Sequence, residues 1–96
     1  MTAILHIEHP ITDVVTWKKA FDAFASVRAG AGVRSDRIHR PIDDGEYVIV
    51  QLEFDTAGEA ERFLSFLQSE VWSSPDRAPA LAGSPHTRIL EPLVGE

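Results

Sequence analysis

The segment 47–54 has the most regular alternation of hydrophobic and polar positions in the chain. Side chains of a β-strand point alternately to its two faces, so a period of two predicts a half-buried strand. One side of the segment is entirely apolar: Val48, Val50, Leu52 and Phe54. The other side is mixed: Tyr47, Ile49, Gln51 and Glu53. We therefore expect the apolar side to face the core.

An amphipathic helix is predicted directly after this strand. Thr56 and Glu59 have the spacing in which a hydroxyl and a carboxylate each satisfy a free backbone N–H at a helix start. The apolar residues that follow recur at helical spacing: Ala60, Phe63, Leu64, Leu67 and Val71. Burying each large member contributes roughly 1.5–3 kcal/mol, which is enough to hold the helix against the strand.

The first third of the chain repeats this order of strand and helix. Thr2–His9 alternates and predicts a strand with Ala3, Leu5 and Ile7 on one side and Ile4, His6 and Glu8 on the other. Thr12 or Asp13 can cap a helix that Gly30 and Gly32 end. Its apolar stripe continues towards Arg28 and comprises Val14, Trp17, Phe21, Phe24 and Ala25.

Three further segments have less regular patterns and complete the order of predicted elements. Val33–Pro41 is polar, which suits a charged edge strand, and the turn Asp43–Gly45 predicts a hairpin between it and the strand at 47–54. Ser73–Pro85 contains three prolines and one glycine, which favour an irregular connection or a short helical turn over a long helix. His86–Leu93 is the predicted last strand, with less regular alternation.

The order strand, helix, strand, strand, helix, strand predicts one α+β domain over residues 1–96 with the ferredoxin-like βαββαβ fold. Such a fold has a four-stranded antiparallel sheet with both helices on one face, and the first and third strands lie in the middle. The other face carries a mixed set: Ile4, His6, Glu8, Tyr47, Ile49, Gln51, Glu53 and Ile89. A second sheet could cover this face and enclose a cavity, so we expect a homodimer.

Composition narrows the range of partners. Fifteen acidic and nine basic residues give a net charge of −6, which argues against nucleic acid or an anionic membrane as a partner. The chain has no cysteine, so disulfides, thiolate metal sites and cysteine nucleophiles are excluded. No secretion signal and no stretch long enough to span a bilayer is apparent, so we expect a cytoplasmic protein.

The sequence resembles the dimeric α/β-barrel superfamily, which includes antibiotic biosynthesis monooxygenase-like proteins and polyketide cyclases. The resemblance lies in the order of the elements and in the segments Trp17–Asp22, Glu53–Asp55, Pro79–Leu81, Gly83–Pro85 and Arg88–Glu91. It implies a dimer that forms a barrel around hydrophobic or aromatic small molecules. It also implies activities that range from cofactor-free oxygenation to ring closure and isomerisation, while some members have no known activity.

His6 is the first candidate for chemistry. It shares a strand face with Glu8, and a histidine in an enclosed cavity could move a proton near neutral pH while Glu8 or Glu53 orients its ring. The alternative is a structural role, in which His6 forms a hydrogen bond with Gln51 or Tyr47 across the sheet. Tyr47 itself could donate a hydrogen bond to a ligand carbonyl or be an ordinary cross-strand neighbour.

His39 and Arg37 share one side of the predicted edge strand, and either side could face the cavity. They could act as a base and as an anion-binding group, or they could belong to a solvated charged edge. Trp72, at a helix end, could close a pocket over a flat ligand or seal the dimer edge. His9 falls on the opposite side from His6, and the histidine spacing has no metal-binding signature, so neither a metal nor a cofactor is predicted.

Two functions remain open at this level. The first is a cofactor-independent monooxygenase-like or cyclase-like enzyme that abstracts a proton from an aromatic or polyketide-like substrate. His6 or His39 would be the base, and Arg37 or Tyr47 would stabilise the anion. The second is a non-catalytic ligand-binding or dimeric interaction module. It would bind a ligand without turnover and tolerate changes at both histidines.

Overall fold

The sheet is built around two long central strands, β1 at Ala3–Pro10 and β3 at Tyr47–Phe54. The computed structural model describes residues 2–93. The edge strands are β2 at Ser35–His39 and β4 at His86–Leu90. The order is β2-β3-β1-β4, and every neighbouring pair is antiparallel. This confirms the predicted ferredoxin-like arrangement, although both edge strands are shorter than the sequence pattern indicated.

Three α-helices cover one face of the sheet. They are α1 at Val14–Ala23, α2 at Ala25–Gly30 and α3 at Ala57–Phe66, and a π-helical turn, Leu67–Val71, extends α3. The caps form in part as predicted. Asp13, and not Thr12, caps α1, and the Glu59 carboxylate accepts the Thr56 hydroxyl at 3.4 Å, where the sequence predicted that it would accept a backbone N–H. The Asp13 carboxylate accepts the Thr16 N–H at 2.8 Å, and the Thr56 hydroxyl accepts the Glu59 N–H at 3.1 Å.

The first helical segment is interrupted, where the sequence predicted one continuous helix. At Phe24 the backbone N–H donates to the Phe21 carbonyl, three residues back, so the last turn of α1 tightens before α2 begins. The Arg28 side chain of α2 also donates to the Phe21 carbonyl. These two bonds hold α2 against the end of α1.

The core lies between the helices and the sheet. In β1 and β3 every second residue is buried, as the period-two pattern predicted. The buried cluster comprises Ala3, Leu5, Ile7, Val50, Leu52, Phe54, Ala60 and Phe63. The rings of Phe54 and Phe63 are 5.8 Å apart and join β3 to α3. We call the sheet face opposite the helices the open face, and its side chains are largely half-buried or exposed.

One residue lies on the other side of the sheet from its predicted position. Ile89 was expected on the open face, but it is paired with Leu5 and therefore points to the helices. His86, Arg88 and Leu90 occupy the open face instead. The error arose because the alternation in this strand is weak, so only pairing with β1 fixes its register.

The connection before β4 returns to the end of β1. Ile11 forms an isolated antiparallel bridge with Leu81, and the Ala82 N–H donates to the Pro10 carbonyl at 3.2 Å. Gly83 is required for this approach, because a Cβ there would lie 2.8 Å from Cγ of Pro10. The connection therefore lies against the end of β1. Among residues 2–93, none of the helices is long and apolar enough to cross a membrane.

Candidate functional site

Four of the predicted site residues form one hydrogen-bonded network on the open face. His6 Nε2 lies 2.8 Å from Oε2 of Glu8, and the Tyr47 hydroxyl donates to Oε1 of Glu8 at 2.8 Å. Gln51 Nε2 lies 3.2 Å from His6 Nδ1. Because the carboxylate can only accept, Nε2 of His6 carries the proton, and its Nδ1 accepts from the Gln51 amide. In this arrangement both nitrogens of His6 are engaged, so a role as a base requires Gln51 to move.

Hydrogen bonding in this network shifts two pKa values in opposite directions. The pKa of Glu8 is lowered, first by the hydrogen bond from His6 and then by that from Tyr47. The pKa of Tyr47 is raised, chiefly because its hydroxyl donates to the Glu8 carboxylate. The network therefore favours an ionised Glu8 and a protonated Tyr47.

We expect Tyr47→Phe to raise the pKa of Glu8 only part of the way to its ordinary value, because the larger contribution from His6 remains. Carboxyl NMR shifts followed through a pH titration measure this change. Asp13, whose pKa is lowered by Thr16 at the start of α1, is an internal control and should not move. An unchanged Glu8 titration would show that the Tyr47 hydrogen bond does not stabilise the carboxylate.

The lowered pKa of Glu8 also determines how the stability of the protein changes with pH. The folded-state pKa of Glu8 lies below that of the unfolded chain. Its contribution to stability is therefore complete above the unfolded-state pKa and is lost as the pH falls through the folded-state value. Glu8→Gln should remove this part of the acid sensitivity in thermal melts.

The remaining open-face candidates lie around this network. Arg37 is paired with Gln51, and Arg88 with His6, so one row of polar side chains crosses all four strands. His39 is paired with Ile49, and the Ser35 hydroxyl donates to Glu53 at 2.9 Å. The pairing of β2 with β3 shows which side chains of β2 point to the same face of the sheet as His6. Both Arg37 and His39 are on it, and both are exposed in the single chain.

A partly open cavity of about 90 Å³ lies on the other side of the sheet, between the helices, the central strands and the connection at 77–81. Six aromatic side chains line it: Trp17, Phe21, Phe24, Phe63, Phe66 and Trp72. The rings of Trp17 and Phe21 stack with centroids 5.0 Å apart. Trp72 therefore lies in the wall of a pocket, which the predicted role of closing a pocket over a flat ligand requires. This pocket is on the opposite side of the sheet from His6.

His9 brings a titratable group to this cavity. It is 4% exposed and lines the cavity from the end of β1. Its Nδ1 lies 3.0 Å from the Pro10 carbonyl, which can only accept, so Nδ1 carries the proton and Nε2 holds a lone pair. Burial lowers the pKa of His9 and favours this neutral form. The sequence already indicated that His9 points to the same side of β1 as Ile7, because the two are two positions apart. The sequence analysis considered His9 only as a possible metal ligand.

Arg28 brings a cation to the same cavity. It is 8% exposed, and its guanidinium lies 3.6 Å from the centroid of the Phe21 ring. Within residues 2–93, no carboxylate lies within 4.0 Å of it. Burial lowers the pKa of Arg28, and the negative charges of Asp36 and Asp22 offset this in part. The sequence showed Arg28 at the end of the apolar helical stripe, but burial of the side chain was not predicted.

No metal centre is visible in the part of the chain that the structure describes, since no three histidine, aspartate or glutamate side chains converge there. His9 and His6 lie on opposite faces of the sheet, as the alternation of side chains along the strand predicted.

No protein-family model and no curated protein matches the chain. Solved structures do. SnoaB, a cofactor-independent oxygenase from Streptomyces nogalater, is 12% identical with a TM-score of 0.74, covering 98% of this chain and 95% of its own. A candidate antibiotic biosynthesis monooxygenase from Bordetella bronchiseptica is 13% identical with a TM-score of 0.75, covering 98% and 100%.

A third neighbour was solved with a ligand. The monooxygenase from ActVA-Orf6 of Streptomyces coelicolor, in complex with nanaomycin D, is 16% identical with a TM-score of 0.62, covering 98% of this chain and 89% of its own. At these identities the likeness concerns the fold. The chain has the ferredoxin-like fold of the antibiotic biosynthesis monooxygenase-like proteins, the group that its sequence resembles.

Proposed function

We propose that this chain binds an aromatic or polyketide-like small molecule in the cavity between its helices and its sheet. The observation that carries the proposal is an apolar cavity lined by six aromatic side chains together with a buried histidine and a buried arginine. Aromatic walls with few polar groups are typical of small-molecule sites. The neighbours support the proposal as analogies of fold, since one is a cofactor-independent oxygenase and another holds nanaomycin D.

The size of the cavity limits what can enter. A cavity of about 150 Å³ holds benzene in a well-studied engineered protein, and the cavity here is about 90 Å³. One ring therefore fits only with a small outward movement of the lining. A shallow open groove shares Ala20, Phe24, Arg77 and Pro79 with the cavity. A larger ligand would place one ring inside and extend through this groove.

The proposed reaction is cofactor-free proton abstraction, of the monooxygenase or cyclase type, and the protein would act as a homodimer with open faces together. The mixed character of the open face supports the dimer, because Ile4, Ile49 and Leu90 lie among its polar groups. Such a dimer would also enclose the His6 network. A second candidate site then arises there, with His6 or His39 as base and Arg37 or Tyr47 stabilising the anion; Glu8, Gln51 and Glu53 would complete it.

Intrinsic fluorescence tests the cavity, because both tryptophans of the chain line it. A neutral single-ring quencher, 4-nitroanisole, should quench the emission saturably. Ala20→Phe, which fills the cavity from α1, should weaken binding by at least about tenfold, equivalent to ~1.4 kcal/mol. Ala29→Phe, on an exposed position of α2, is the matched control and should bind normally.

Quenching that rises linearly without saturation, or equal binding by Ala20→Phe and the wild type, would contradict the cavity as the binding site. Incubation in air with a polyketide-like ligand then distinguishes an enzyme from a non-catalytic binding module. An enzyme converts the ligand over time, and mass spectrometry measures the rate of this conversion. A drop of roughly 10²–10⁴ in that rate for His6→Gln would identify His6 as the base and would mean that the reaction takes place on the open face and not in the cavity.

A further inference from the structure

The connection before β4, residues 73–85, forms part of the cavity wall. Its residues 77–81 line the cavity, yet Ala80 is the only one of its residues that is buried. We propose that this connection is a lid over the cavity and that uptake of a second proton by His9 opens it. The inference goes beyond the proposed function, because it concerns access to the cavity whatever molecule enters.

Backbone hydrogen bonds attach the lid to the end of β1, directly beside His9. The Thr12 N–H donates to the Ala80 carbonyl at 2.9 Å, and the Ala82 N–H donates to the Pro10 carbonyl at 3.2 Å. A segment that is mostly exposed and held by few bonds is the kind that opens locally while the core stays folded. These bonds are therefore the ones that an opening of the lid would break.

The other end of the lid has its own attachments, to the end of the helix layer. The Ser74 N–H donates to the Val71 carbonyl at 3.1 Å, and the Arg77 side chain donates to the Glu70 carbonyl at 3.0 Å. Neither bond involves β1. The lid can therefore separate from β1 while it stays joined to the helix layer.

His9 shares a hydrogen-bond acceptor with the lid. The Pro10 carbonyl accepts from Nδ1 of His9 at 3.0 Å and from the Ala82 N–H at 3.2 Å, which engages both lone pairs of the oxygen. A second proton on His9 must therefore go to Nε2. His9 is 4% exposed in a mainly apolar lining, so this proton would place a charge where water has little access.

No negative charge in the cavity lining offsets that proton. The other charged side chains of the lining are Arg28 of α2 and Arg77 of the lid, both positive, and the lining residues of α1, α3 and β3 are uncharged. The partner of His9 on β3 is Val48. Within residues 2–93, no carboxylate lies within 4.0 Å of His9.

The remaining charged groups of this region point elsewhere. Glu8 and His86 are paired with each other on the open face, on the opposite side of the sheet from His9. Lys19 and Asp76 line the neighbouring groove and not the cavity. Glu46 is exposed and reaches this end of β1 through its backbone carbonyl. An imidazolium at His9 is therefore unfavourable while the lid is closed.

The direction of the pH effect follows from burial. Burial lowers the pKa of His9 in the closed protein, whereas separation of the lid would admit water and return the pKa towards its ordinary value of about 6.5. The closed form is therefore fully favoured above the open-form pKa, and it loses stability as the pH falls from there to the closed-form pKa. Within this window the ratio of open to closed protein rises by up to about tenfold per pH unit, because one proton is taken up.

Hydrogen exchange of single amides, followed by NMR, tests the inference. The reporters are the N–H groups of Thr12 and Ala82, which join the lid to β1. Their protection factors, corrected for the intrinsic pH dependence of exchange, should fall by up to about tenfold per pH unit below about pH 6.5. The Arg34 N–H, bonded to the Glu53 carbonyl at 2.7 Å, is the internal control and should keep its protection.

Three variants separate the sensor from the attachment. His9→Gln, which cannot become charged, should remove the pH dependence at both reporters, and His9→Asn replaces it if it does not fold. His86→Gln, the same change at an exposed histidine beside the lid, is the matched control and should keep the dependence. Gly83→Ala should lower the protection of Ala82 at every pH, because its Cβ would lie 2.8 Å from Cγ of Pro10.

The entry of a ligand gives a second readout, which rests on the proposed function. The association rate of 4-nitroanisole, measured by stopped-flow quenching of tryptophan emission, should rise as the protection of Ala82 falls. This rise should be absent in His9→Gln. If 4-nitroanisole does not bind at any pH, the proposed function fails, and the amide result alone then decides the lid.

The contrary outcomes are distinct. Reporter amides that do not respond to pH, or that respond equally in His9→Gln, would overturn the role of His9. An equal fall in protection at Arg34 would mean that acid unfolds the whole domain, which would overturn the lid. Association of 4-nitroanisole at one rate while the reporter amides respond would show that the ligand enters by another route, and would also overturn the lid.

Discussion

Replacing Phe54 with alanine should lower the free energy of unfolding by about 3–5 kcal/mol. Phe54 is fully buried at the end of β3, lies opposite Ala3 on β1 and packs its ring against Phe63 of α3. Its loss would leave a cavity where the sheet and the helix layer meet. Small domains are stable by only about 5–15 kcal/mol in total, so one substitution removes a large share.

Urea unfolding followed by circular dichroism measures this change. Val15→Ala is the matched control, because Val15 is 72% exposed on α1 and its truncation should change stability by no more than about 0.5 kcal/mol. A Phe54→Ala loss as small as that of the control would mean that the packing between β3 and α3 contributes little.

Placing a charge at Ile49 should convert the proposed homodimer into monomers. Ile49 lies within the open face, opposite Glu8 on β1 and opposite His39 on β2. In a dimer with open faces together, a lysine or glutamate there would be buried without a designed partner, which costs several kcal/mol per charge in each subunit. Light scattering coupled to size-exclusion chromatography over a range of concentrations measures the mass.

The test needs both a positive and a negative substitution at Ile49. Ile49→Lys could pair locally with Glu8, whereas Ile49→Glu would repel it, so dissociation by both variants indicates an interface and dissociation by Ile49→Glu alone indicates a local effect. Val15→Lys, on the helix layer, should remain dimeric. A wild-type protein that is monomeric at every concentration would refute the dimer and with it the enclosed site around His6. The cavity would be unaffected, because it lies within one chain.

The two candidate sites differ in what their histidines can do. On the open face, His6 is held by Glu8 and by Gln51, and its ring has no free nitrogen. In the cavity, His9 has one engaged nitrogen and one with a free lone pair. A proton acceptor needs a free lone pair, and of these two histidines only His9 has one without a rearrangement of its neighbours. The role of His6 stays a prediction that the substitution tests above can decide.

The order of strands and helices, the faces of β1 and β3, and the hydroxyl cap of α3 at Thr56 followed from the sequence alone. These features depend on interactions between residues that are close along the chain. Alternation in Tyr47–Phe54 fixes which residues share a face, and the spacing of Thr56 and Glu59 fixes where α3 begins. Such local rules need no knowledge of which elements become neighbours.

The location of the cavity and its chemistry were decided by the tertiary structure. His9 and Arg28 are nineteen positions apart in the sequence, and only the tertiary packing of the helices and of the connection at 77–81 places both of them in the lining of one cavity. The side of β4 that carries Ile89 was likewise fixed by pairing with Leu5. Packing between distant elements depends on shape and register, and a pattern of polar and apolar positions records neither. The sequence therefore determined the fold and the two faces of its sheet, while the tertiary structure decided which face carries a cavity and which side chains reach it.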